Sequence, residues 1–341
     1  MMRISGRLSL VWTLLSPLSH IGESVGPDSY LSTQSILDPA GRPAEVFVYS
    51  GNAIRGMLRD AGAKYLLDHL SRDSIVQVPL EVFYLLWSGG AIGGDQKIDI
   101  DQARRIRKVM PHLSIFGGGV GNQIMPGKLS VSDALPLCAE TQHLLPGQWR
   151  KPNAVSWRAM TAERSYTRTD DAKDENKRVY LIDPADQLEA LPGGQQVSML
   201  ADPDAERRRQ EKRDKAQSKP QQMRYTVEVL QPGAQLWSEI DFIDLLEVEL
   251  GALVAAFDEW AKRPTIGGKA NVGMGRVALE SHLSINTYDE PEAFLAVNQE
   301  DRFLSRRATE ARDSYDDYLG KYREHLETNR EGMVRLIGGE V

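Results

Sequence analysis

A glycine-rich segment, residues 265–277, restricts the possible folds of this chain more than any other feature. Its glycines are Gly267, Gly268, Gly273 and Gly275. Glycine tolerates positive φ and leaves its backbone amide uncovered, so that an anion can approach the main chain closely. Lys269, Asn271 and Arg276 add cationic and polar groups to the same segment. The segment predicts a tight loop that binds phosphate groups, and a tight turn without a ligand is the alternative.

The spacing of these glycines separates two kinds of phosphate ligand. No Gly-Lys-Ser/Thr follows four residues after a glycine, so the segment is not a P-loop. It also does not open a helix after a strand, as a dinucleotide-binding fingerprint does. Contact with a polyphosphate backbone is therefore favoured over a mononucleotide. An enzyme that uses this loop for a small molecule is a remaining alternative.

The pattern of apolar residues along the chain predicts an α+β fold. Apolar residues alternate over 4–14, which is typical of a strand rather than of a secretory signal, and recur at helical spacing from Ala53 to about Leu70. Further strands are predicted at 46–49, 128–137, 224–230, 236–243 and 277–283, with helices at 245–260 and 300–330. This order fits a ferredoxin-like βαββαβ core, the architecture of RNA-recognition motifs, enlarged by insertions.

Changes in composition divide the chain into five parts. Residues 1–74 begin the core, 75–112 form a helical insertion, 113–167 continue the core, 168–222 leave it, and 223–341 complete it with the glycine-rich loop and a C-terminal helix. The part from 168 to 222 is polar, charged and poor in apolar residues, which predicts a long excursion from the core.

The acidic net charge of −7 does not exclude a nucleic-acid binder, because one segment accounts for it. Ser238–Trp260 carries seven acidic residues and no Lys or Arg, so the rest of the chain sums to zero. Basic clusters at 104–108 and 207–219 are either nucleic-acid contacts or solvated helix faces. The single cysteine, Cys138, is consistent with a reducing cytoplasm, and no apolar run is long enough to span a membrane.

The start of the helix that follows the strand at 46–49 is a second candidate phosphate site. Ser50, Gly51 and Asn52 precede or begin it, and the amides at a helix N-terminus attract anions. Arg55 and Arg59 are four residues apart and share one helix face, so two guanidinium groups can follow a phosphate chain. A capped helix with two solvated arginines is the alternative.

Four segments, in their order along the chain, resemble the characteristic segments of one protein family. They are Leu18–Gly22, Ser50–Arg59, Phe116–Gly119 followed by Leu129–Leu135, and Ile266–Val277. The family is the RAMP (repeat-associated) superfamily, and the greatest likeness is to the backbone subunits of CRISPR effectors, with the type IV branch nearer than type III. The glycine-rich loop is the most specific of the four, and their common order along nearly the whole chain is more specific than any one.

The resemblance implies a subunit that lines up head to tail with copies of itself along a guide RNA (crRNA). It would work in a ribonucleoprotein with other CRISPR effector subunits, and base pairing would select the target nucleic acid. The implied fold is the ferredoxin-like core with insertions that form a palm, a helical lid and an extended thumb hairpin. Residues 168–222 match the thumb by position only.

RNA contacts are expected at the phosphate-site candidates above and at three further places. Arg158, Arg164, Tyr166 and Arg168 lie at the base of the implied thumb, and their mixture of Arg and Tyr suits phosphate contact with base stacking. Within the thumb, Val197, Met199 and Leu200 are the candidate wedge between bases, or else pack the root of the hairpin. His20 matches the family's His-Ile-Gly segment and either contacts RNA or is structural.

The chain is expected to be a subunit without catalysis, metal or cofactor. Type III relatives cut target RNA with an aspartate between the His-Ile-Gly segment and the Asp-Pro before the helix. Counting back from Asp38, Ser32 occupies that place, and a serine does not supply the anionic oxygen that metal-assisted cleavage needs. The alternative is a ribonuclease that cuts target RNA through Asp28 or processes the guide precursor through His20.

Overall fold

The computed structural model describes residues 3–70, 77–90, 100–120, 123–168, 223–286 and 290–327. Its helices are α1 (Gly51–Leu70), α2 (Leu80–Trp87), α3 (Ile100–Val109), α4 (Pro111–Phe116), α5 (Glu247–Trp260) and α6 (Arg306–Glu327). Its strands are β1 (Ile4–Leu14), β2 (Ile21–Val25), β3 (Asp28–Leu31), β4 (Thr33–Leu37), β5 (Pro43–Phe47), β6 (Gly118–Val120), β7 (Gln123–Met125), β8 (Leu129–Val131), β9 (Leu135–Pro136), β10 (Thr161–Arg168), β11 (Met223–Leu230), β12 (Gln235–Leu245), β13 (Val277–Ile285), β14 (Glu292–Val297) and β15 (Arg302–Leu304). The predicted α+β class is confirmed.

The chain divides into two compact units. The first contains Met1–Glu23, Tyr30–Ala162 and Glu228–Val341, and the second contains Ser24–Ser29 and Glu163–Val227. Of the predicted thumb, residues 169–222 lie outside the described residues, together with the candidate wedge Val197, Met199 and Leu200 and the basic cluster at 207–219.

A mixed-length antiparallel sheet forms the centre of the first unit. Its strand order is β15-β14-β13-β1-β12-β8, and β9 also pairs with β12. β1 lies between β12 and β13, with Leu10 opposite Ser238 in one neighbour and Ser281 in the other. The long strand β1 is therefore paired on both edges, as its alternating apolar sequence predicts.

Alternate side chains of β1 are buried on opposite faces of the sheet. Leu10 and Trp12 belong to the main core, whereas Val11 packs in a smaller cluster with Leu137, Leu145 and Trp237. The indole nitrogen of Trp12 donates to Ser238 Oγ at 2.9 Å, and its ring meets Trp260 edge to face at 5.5 Å between centroids. These contacts fasten α5 to the centre of the sheet.

Helix α5 is the central helix of the main core and packs against α1, α4 and α6. Although it lies in the acidic segment, two of its carboxylates are buried and paired rather than solvated. Glu249 accepts from Lys128 Nζ and Ser114 Oγ, each at 2.6 Å, and Glu259 pairs with Lys64 at 2.9 Å. Because a buried unpaired charge is costly, these partners are needed for α5 to pack.

The second unit is built on the sheet β10-β11-β3-β2, whose strands extend a few residues past its limits. Thr226 of β11 is in parallel register with Asp28 of β3, and Arg224 Nη2 donates to Ser165 Oγ at 3.1 Å. Residues 23–35, a polar stretch for which no strand was predicted, contain β3 and most of β2 and β4. Short strands with few apolar residues have no clear periodicity, so the sequence pattern does not reveal them. No helix in the described ranges is both long and apolar enough to cross a membrane.

Candidate nucleic-acid interface

The glycine-rich segment forms a closed loop between α5 and β13, as predicted. The amide of Ile266 donates to the carbonyl of Gly275 at 2.8 Å, which closes the loop at its base. Positive φ angles occur at Gly267 (74°), Lys269 (60°), Gly273 (82°) and Gly275 (77°). Three of these four positions are glycines because other residues adopt this conformation only at a cost.

The base of the loop lies against the chain at residues 17–19. The amide of Gly275 donates to Pro17 O at 2.8 Å, and the amide of Gly268 donates to Ser19 O at 2.7 Å. A Cβ atom on Gly267 would lie 2.6 Å from Ser19 O, closer than van der Waals contact allows. The loop and the segment before His20 can approach this closely only because a glycine occupies that position.

The glycine amides are not open to an anion, which corrects the sequence prediction. Gly267 N donates to Tyr49 Oη at 3.1 Å and Gly273 N to Ala270 O at 3.1 Å, so all four glycine amides have acceptors within the protein. Their role is to fold the loop. In the described part of the chain, the amides of Lys269, Ala270 and Asn271 donate no hydrogen bond.

The outer rim of the loop carries two cationic side chains, Lys269 and Arg276. Arg276 and Asn271 are exposed, and Lys269 is half-buried. Within the described ranges, the side chains of Lys269 and Arg276 form neither a hydrogen bond nor an ion pair. Two cations and three backbone donors therefore lie together on this rim.

A second group of basic residues, which sequence reasoning missed, lines a cleft beside the loop. The cleft has a volume of about 430 Å³, and its lining includes Lys262, Arg263 and Arg276. Arg263 Nη2 donates to Ala270 O at 3.4 Å, and Lys262 pairs with Glu259. The signal in the sequence is the Lys-Arg pair directly after α5, only a few residues before the first glycine.

His20 connects the loop region to the start of α1. Its ring packs edge to face on Tyr49 at 4.8 Å, and its Nε2 atom accepts the amide of Ser50 at 3.4 Å. Burial lowers the pKa of His20, while the carboxylate of Asp133 acts in the opposite direction. A neutral ring that accepts a hydrogen bond at Nε2 has a structural role here, whatever it contacts on its exposed side.

The amides at the start of α1 are already bound, which corrects the prediction of an open anion site. Gly51 N donates to Asp133 Oδ1 at 2.7 Å, and Asn52 N donates to Ser50 Oγ at 3.2 Å. The next two amides, of Ala53 and Ile54, both donate to Ser50 O. Asp133 thus occupies the position that a phosphate would take. It lies 82 residues from Gly51 in the sequence, so local patterns do not reveal it.

The two arginines of α1 share one face, as predicted, but that face meets the end of α4. Arg59 Nη2 donates to Phe116 O at 2.6 Å and Arg59 Nη1 to Gly117 O at 3.1 Å, and Arg55 Nη2 also reaches Phe116 O. Arg59 is only 9% exposed, and burial lowers its pKa. Arg59 is therefore not a solvated arginine: it satisfies the carbonyls at a helix C-terminus, and its contact with phosphate stays a prediction.

Arg55, which is half-buried, lines an open cleft of about 660 Å³. The cleft also exposes backbone of the Phe116–Gly119 segment, so two of the four family-like segments meet here. Its lining consists of Asn52, Arg55, Gly56, Arg59, Trp87, Ser88, Gly89, Gly90, Phe116, Gly117, Gly118, Gly119, Ile124, Met125, Pro126, Gly127 and Leu129. Arginine is present, and none of the described residues that line the cleft is a carboxylate, so it is suited to an anionic ligand.

The remaining predicted contacts are divided between the two units. Arg158, in the first unit, is exposed, lies over the ring of Trp157 at 4.1 Å and is 3.5 Å from Glu228 Oε1. Arg164, Tyr166 and Arg168 alternate along β10, which places them on one face of that strand. Arg164 is exposed and Tyr166 half-buried.

Ser32 and Asp28, the two residues considered for the place of the type III aspartate, also lie in different units. Ser32, in the first unit, donates its amide to His20 O at 2.8 Å. Asp28 belongs to the second unit. Within the described ranges, no three His, Cys, Asp or Glu residues are grouped as metal ligands would be.

Comparisons with known proteins identify the family of the chain. A chain of a Type IV-B CRISPR complex is similar at 17% identity and a TM-score of 0.49, covering 83% of this chain and 92% of that one. Csc2 of Thermofilum pendens is similar at 11% identity and a TM-score of 0.38, covering 97% of this chain and 80% of that one. No curated protein matches. The family model of the RAMP superfamily matches residues 13–278, and the chain therefore belongs to the RAMP superfamily.

Proposed function

We propose that this chain is a guide-RNA-binding backbone subunit of a CRISPR ribonucleoprotein effector complex. The observation that carries the proposal is the rim of the glycine-rich loop. There, Lys269 and Arg276 have no partner among the described residues and lie beside the unbonded amides of 269–271. Cationic side chains that form no ion pair within the protein can bind the phosphate groups of a polyanion. Membership in the RAMP superfamily supports RNA as that polyanion.

A continuous series of contacts joins the loop to the Arg55 cleft. The amide of Gly267 donates to the hydroxyl of Tyr49. The next residue, Ser50, donates its amide to His20 and caps α1 with its hydroxyl. Asn52 and Arg55 of α1 then line the cleft. Both places belong to the first unit. An extended RNA strand suits such a series of separated cationic places better than a mononucleotide does, because both clefts are open.

The connectivity of the first unit supports the ferredoxin-like core of this proposal. Six elements of this unit give the order βαββαβ along the chain, with other elements between some of them: β1, α1, β8, β12, α5 and β13. In the sheet, their four strands are ordered β13-β1-β12-β8. In this proposal the partners are copies of the same chain in a head-to-tail row along the guide, other CRISPR effector subunits, and a target nucleic acid that pairs with the guide. The compartment is the cytoplasm.

Binding to RNA is tested first on freshly purified protein and then with charge reversal. RNA carried through purification raises the absorbance ratio of about 260 to about 280 nm. The variant Lys269→Glu/Arg276→Glu is expected to bind single-stranded RNA more weakly and to reduce the slope of log K against log salt by about 1.4, for two lost phosphate contacts. The matched control is Arg42→Glu/Arg306→Glu, at two exposed arginines outside the interface. An unchanged slope in the loop variant, or wild-type protein without RNA affinity, contradicts the proposal.

The proposed subunit does not cleave the RNA that it holds. Ser32, at the place of the type III aspartate, supports this part of the proposal. Labelled guide and target RNA incubated with the protein, with and without a divalent metal, are expected to remain intact. Cleavage that disappears in Asp28→Ala or in His20→Ala would show a ribonuclease instead.

A further inference from the structure

Helix α2 is apolar on two opposite faces, and within the described part of the chain only one of them is covered. Val82, Leu85 and Leu86 are buried in the main core. The residues at i, i+3, i+4 and i+7, which share the other face, are Leu80, Phe83, Tyr84 and Trp87. The first three are 61%, 43% and 47% exposed, respectively. A helix that is apolar all round is ordinarily buried, so this face needs an occupant.

The exposed face is an array of aromatic rings rather than an aliphatic surface. Phe83 and Trp87 are stacked, with 4.5 Å between ring centroids and 22° between planes. Tyr84 meets Phe83 edge to face at 6.0 Å. The backbone beneath these rings is fixed, because Ser88 N and Gly90 N both donate to Tyr84 O, at 2.9 and 2.8 Å. We call Phe83, Tyr84 and Trp87 the aromatic face.

The aromatic face continues into the cleft that contains Arg55. Trp87, which stacks on Phe83, is itself part of the lining of that cleft. Among the described residues, the lining contains Arg55 and glycine backbone but no carboxylate, and Glu81, the one acidic residue of α2, is not part of it. An anionic chain in the cleft is thereby adjacent to a stack of planar rings.

We propose that the aromatic face stacks unpaired bases of the single-stranded nucleic acid whose phosphates lie along the Arg55 cleft. This inference rests on the proposed function and assigns a further binding site for it. Bases stack on aromatic side chains with little dependence on sequence, because every base has a π face. The stacked Phe83 and Trp87 rings and the adjoining cationic cleft fit a nucleobase-phosphate unit better than an apolar helix of a partner protein. An apolar helix offers no anionic group to the guanidinium of Arg55.

The test compares normal RNA with RNA of the same length that contains abasic residues, using fluorescence anisotropy on the full chain. Phe83→Leu removes the ring and keeps an apolar side chain, so it separates stacking from apolar contact. It is expected to weaken binding of normal RNA about 5- to 100-fold and to leave binding of fully abasic RNA unchanged. The matched control is Phe303→Leu, which makes the same change at an exposed ring of β15 outside the cleft. Phe303→Leu is expected to bind both RNAs as wild type does.

Three results would overturn the inference, and they differ in what they leave standing. If Phe83→Leu binds normal RNA as tightly as wild type, the aromatic face is not a stacking site, while the proposed RNA binding stands. If Phe83→Leu abolishes self-association in sedimentation velocity without changing RNA affinity per protomer, the occupant of the face is a second copy of the chain. If wild-type protein binds neither RNA, the proposed function fails together with the inference.

Discussion

The carboxylate of Asp133 accepts a hydrogen bond of 2.7 Å from the amide of Gly51, the first residue of α1. A helix N-terminus attracts anions, and here a side chain of the same chain fills that place. Phosphate binding at this end of the helix would require Asp133 to leave. Under the proposed function, RNA phosphates are therefore expected at the rim of the glycine-rich loop and in the Arg55 cleft, and the Asp133–Gly51 contact is part of the scaffold between them.

Replacing Asp133 tests this scaffold role. Asp133→Ala is expected to lower the free energy of unfolding by about 1 kcal/mol, as the loss of a helix N-cap does, whereas Asp133→Asn should cost less because its amide oxygen still accepts the bond. Both changes should lower the pKa of His20 further, because the Asp133 carboxylate raises it against the effect of burial. Urea unfolding measures the first effect and an NMR titration of His20 the second. Asp317→Ala, at an exposed position of α6, is the control. A His20 pKa that does not fall in Asp133→Asn would show that the carboxylate does not act on the ring.

Two glycines of the loop with similar backbone angles are expected to respond differently to alanine. Gly273 and Gly275 have φ of 82° and 77°, so both substitutions carry the cost of a left-handed conformation, about 1 kcal/mol. A Cβ atom on Gly273 would meet no atom within 4 Å, whereas one on Gly275 would overlap the carbonyl oxygen of Ile266. Gly275→Ala should therefore destabilise the protein by at least about 2 kcal/mol more than Gly273→Ala, since the loop must open to accept it. Equal midpoints of urea unfolding for the two variants would contradict the loop geometry.

The sequence predicted the position of the loop but not how its amides are used. Positive φ is a property of single residues, and the glycines signal it directly. The acceptors Pro17, Ser19 and Tyr49 lie more than 200 residues away along the chain, and no local pattern connects them to the loop. The long, regular elements β1, α1 and α5 were predicted correctly because their periodicity extends over ten or more residues.

The arginines of α1 show the same limit. The spacing of Arg55 and Arg59 correctly placed them on one helix face, but which neighbour covers that face depends on tertiary packing. Helix α4 ends at Phe116 and is followed by Gly117, and a helix end of this kind leaves carbonyl groups without partners. Two arginines can satisfy those carbonyls as well as they can bind phosphates. Only the structure distinguishes these uses.

Arg59 and Arg276 are expected to separate stability from RNA binding. Arg59→Met removes donors from the carbonyls of Phe116 and Gly117 in a buried site, which should cost about 2–4 kcal/mol of folding free energy. Arg276→Met removes an exposed cation that pairs with no described side chain, so stability should stay within about 0.5 kcal/mol while RNA affinity falls. Chemical denaturation and RNA titration of both variants give the two readouts. A stable Arg59→Met variant that has lost RNA affinity would show that Arg59 contacts RNA.

His112 should make the fold sensitive to acid. It is 1% exposed in α4, its Nε2 atom has no hydrogen-bond partner, and burial, with a smaller contribution from the charge of Arg59, lowers its pKa from 6.5 to about 3. Between these two values the unfolded chain binds a proton at this residue and the folded chain does not. Stability should therefore fall as the pH falls from about 6.5 towards about 3, with a contribution from this residue of about 1.4 kcal/mol per pH unit.

The variant His112→Leu isolates that contribution, because leucine keeps a side chain in the buried site and has no titrating group. Urea unfolding at several pH values between about 7 and about 4 should give a shallower loss of stability in His112→Leu than in wild type. His143→Gln, at a half-buried position, is the control for removing a histidine elsewhere. Carboxylates whose pKa is lowered in the fold, such as Glu259, add to acid sensitivity in both proteins, so the difference between them is the quantity that counts. Parallel curves for wild type and His112→Leu would show that His112 becomes protonated within the folded state.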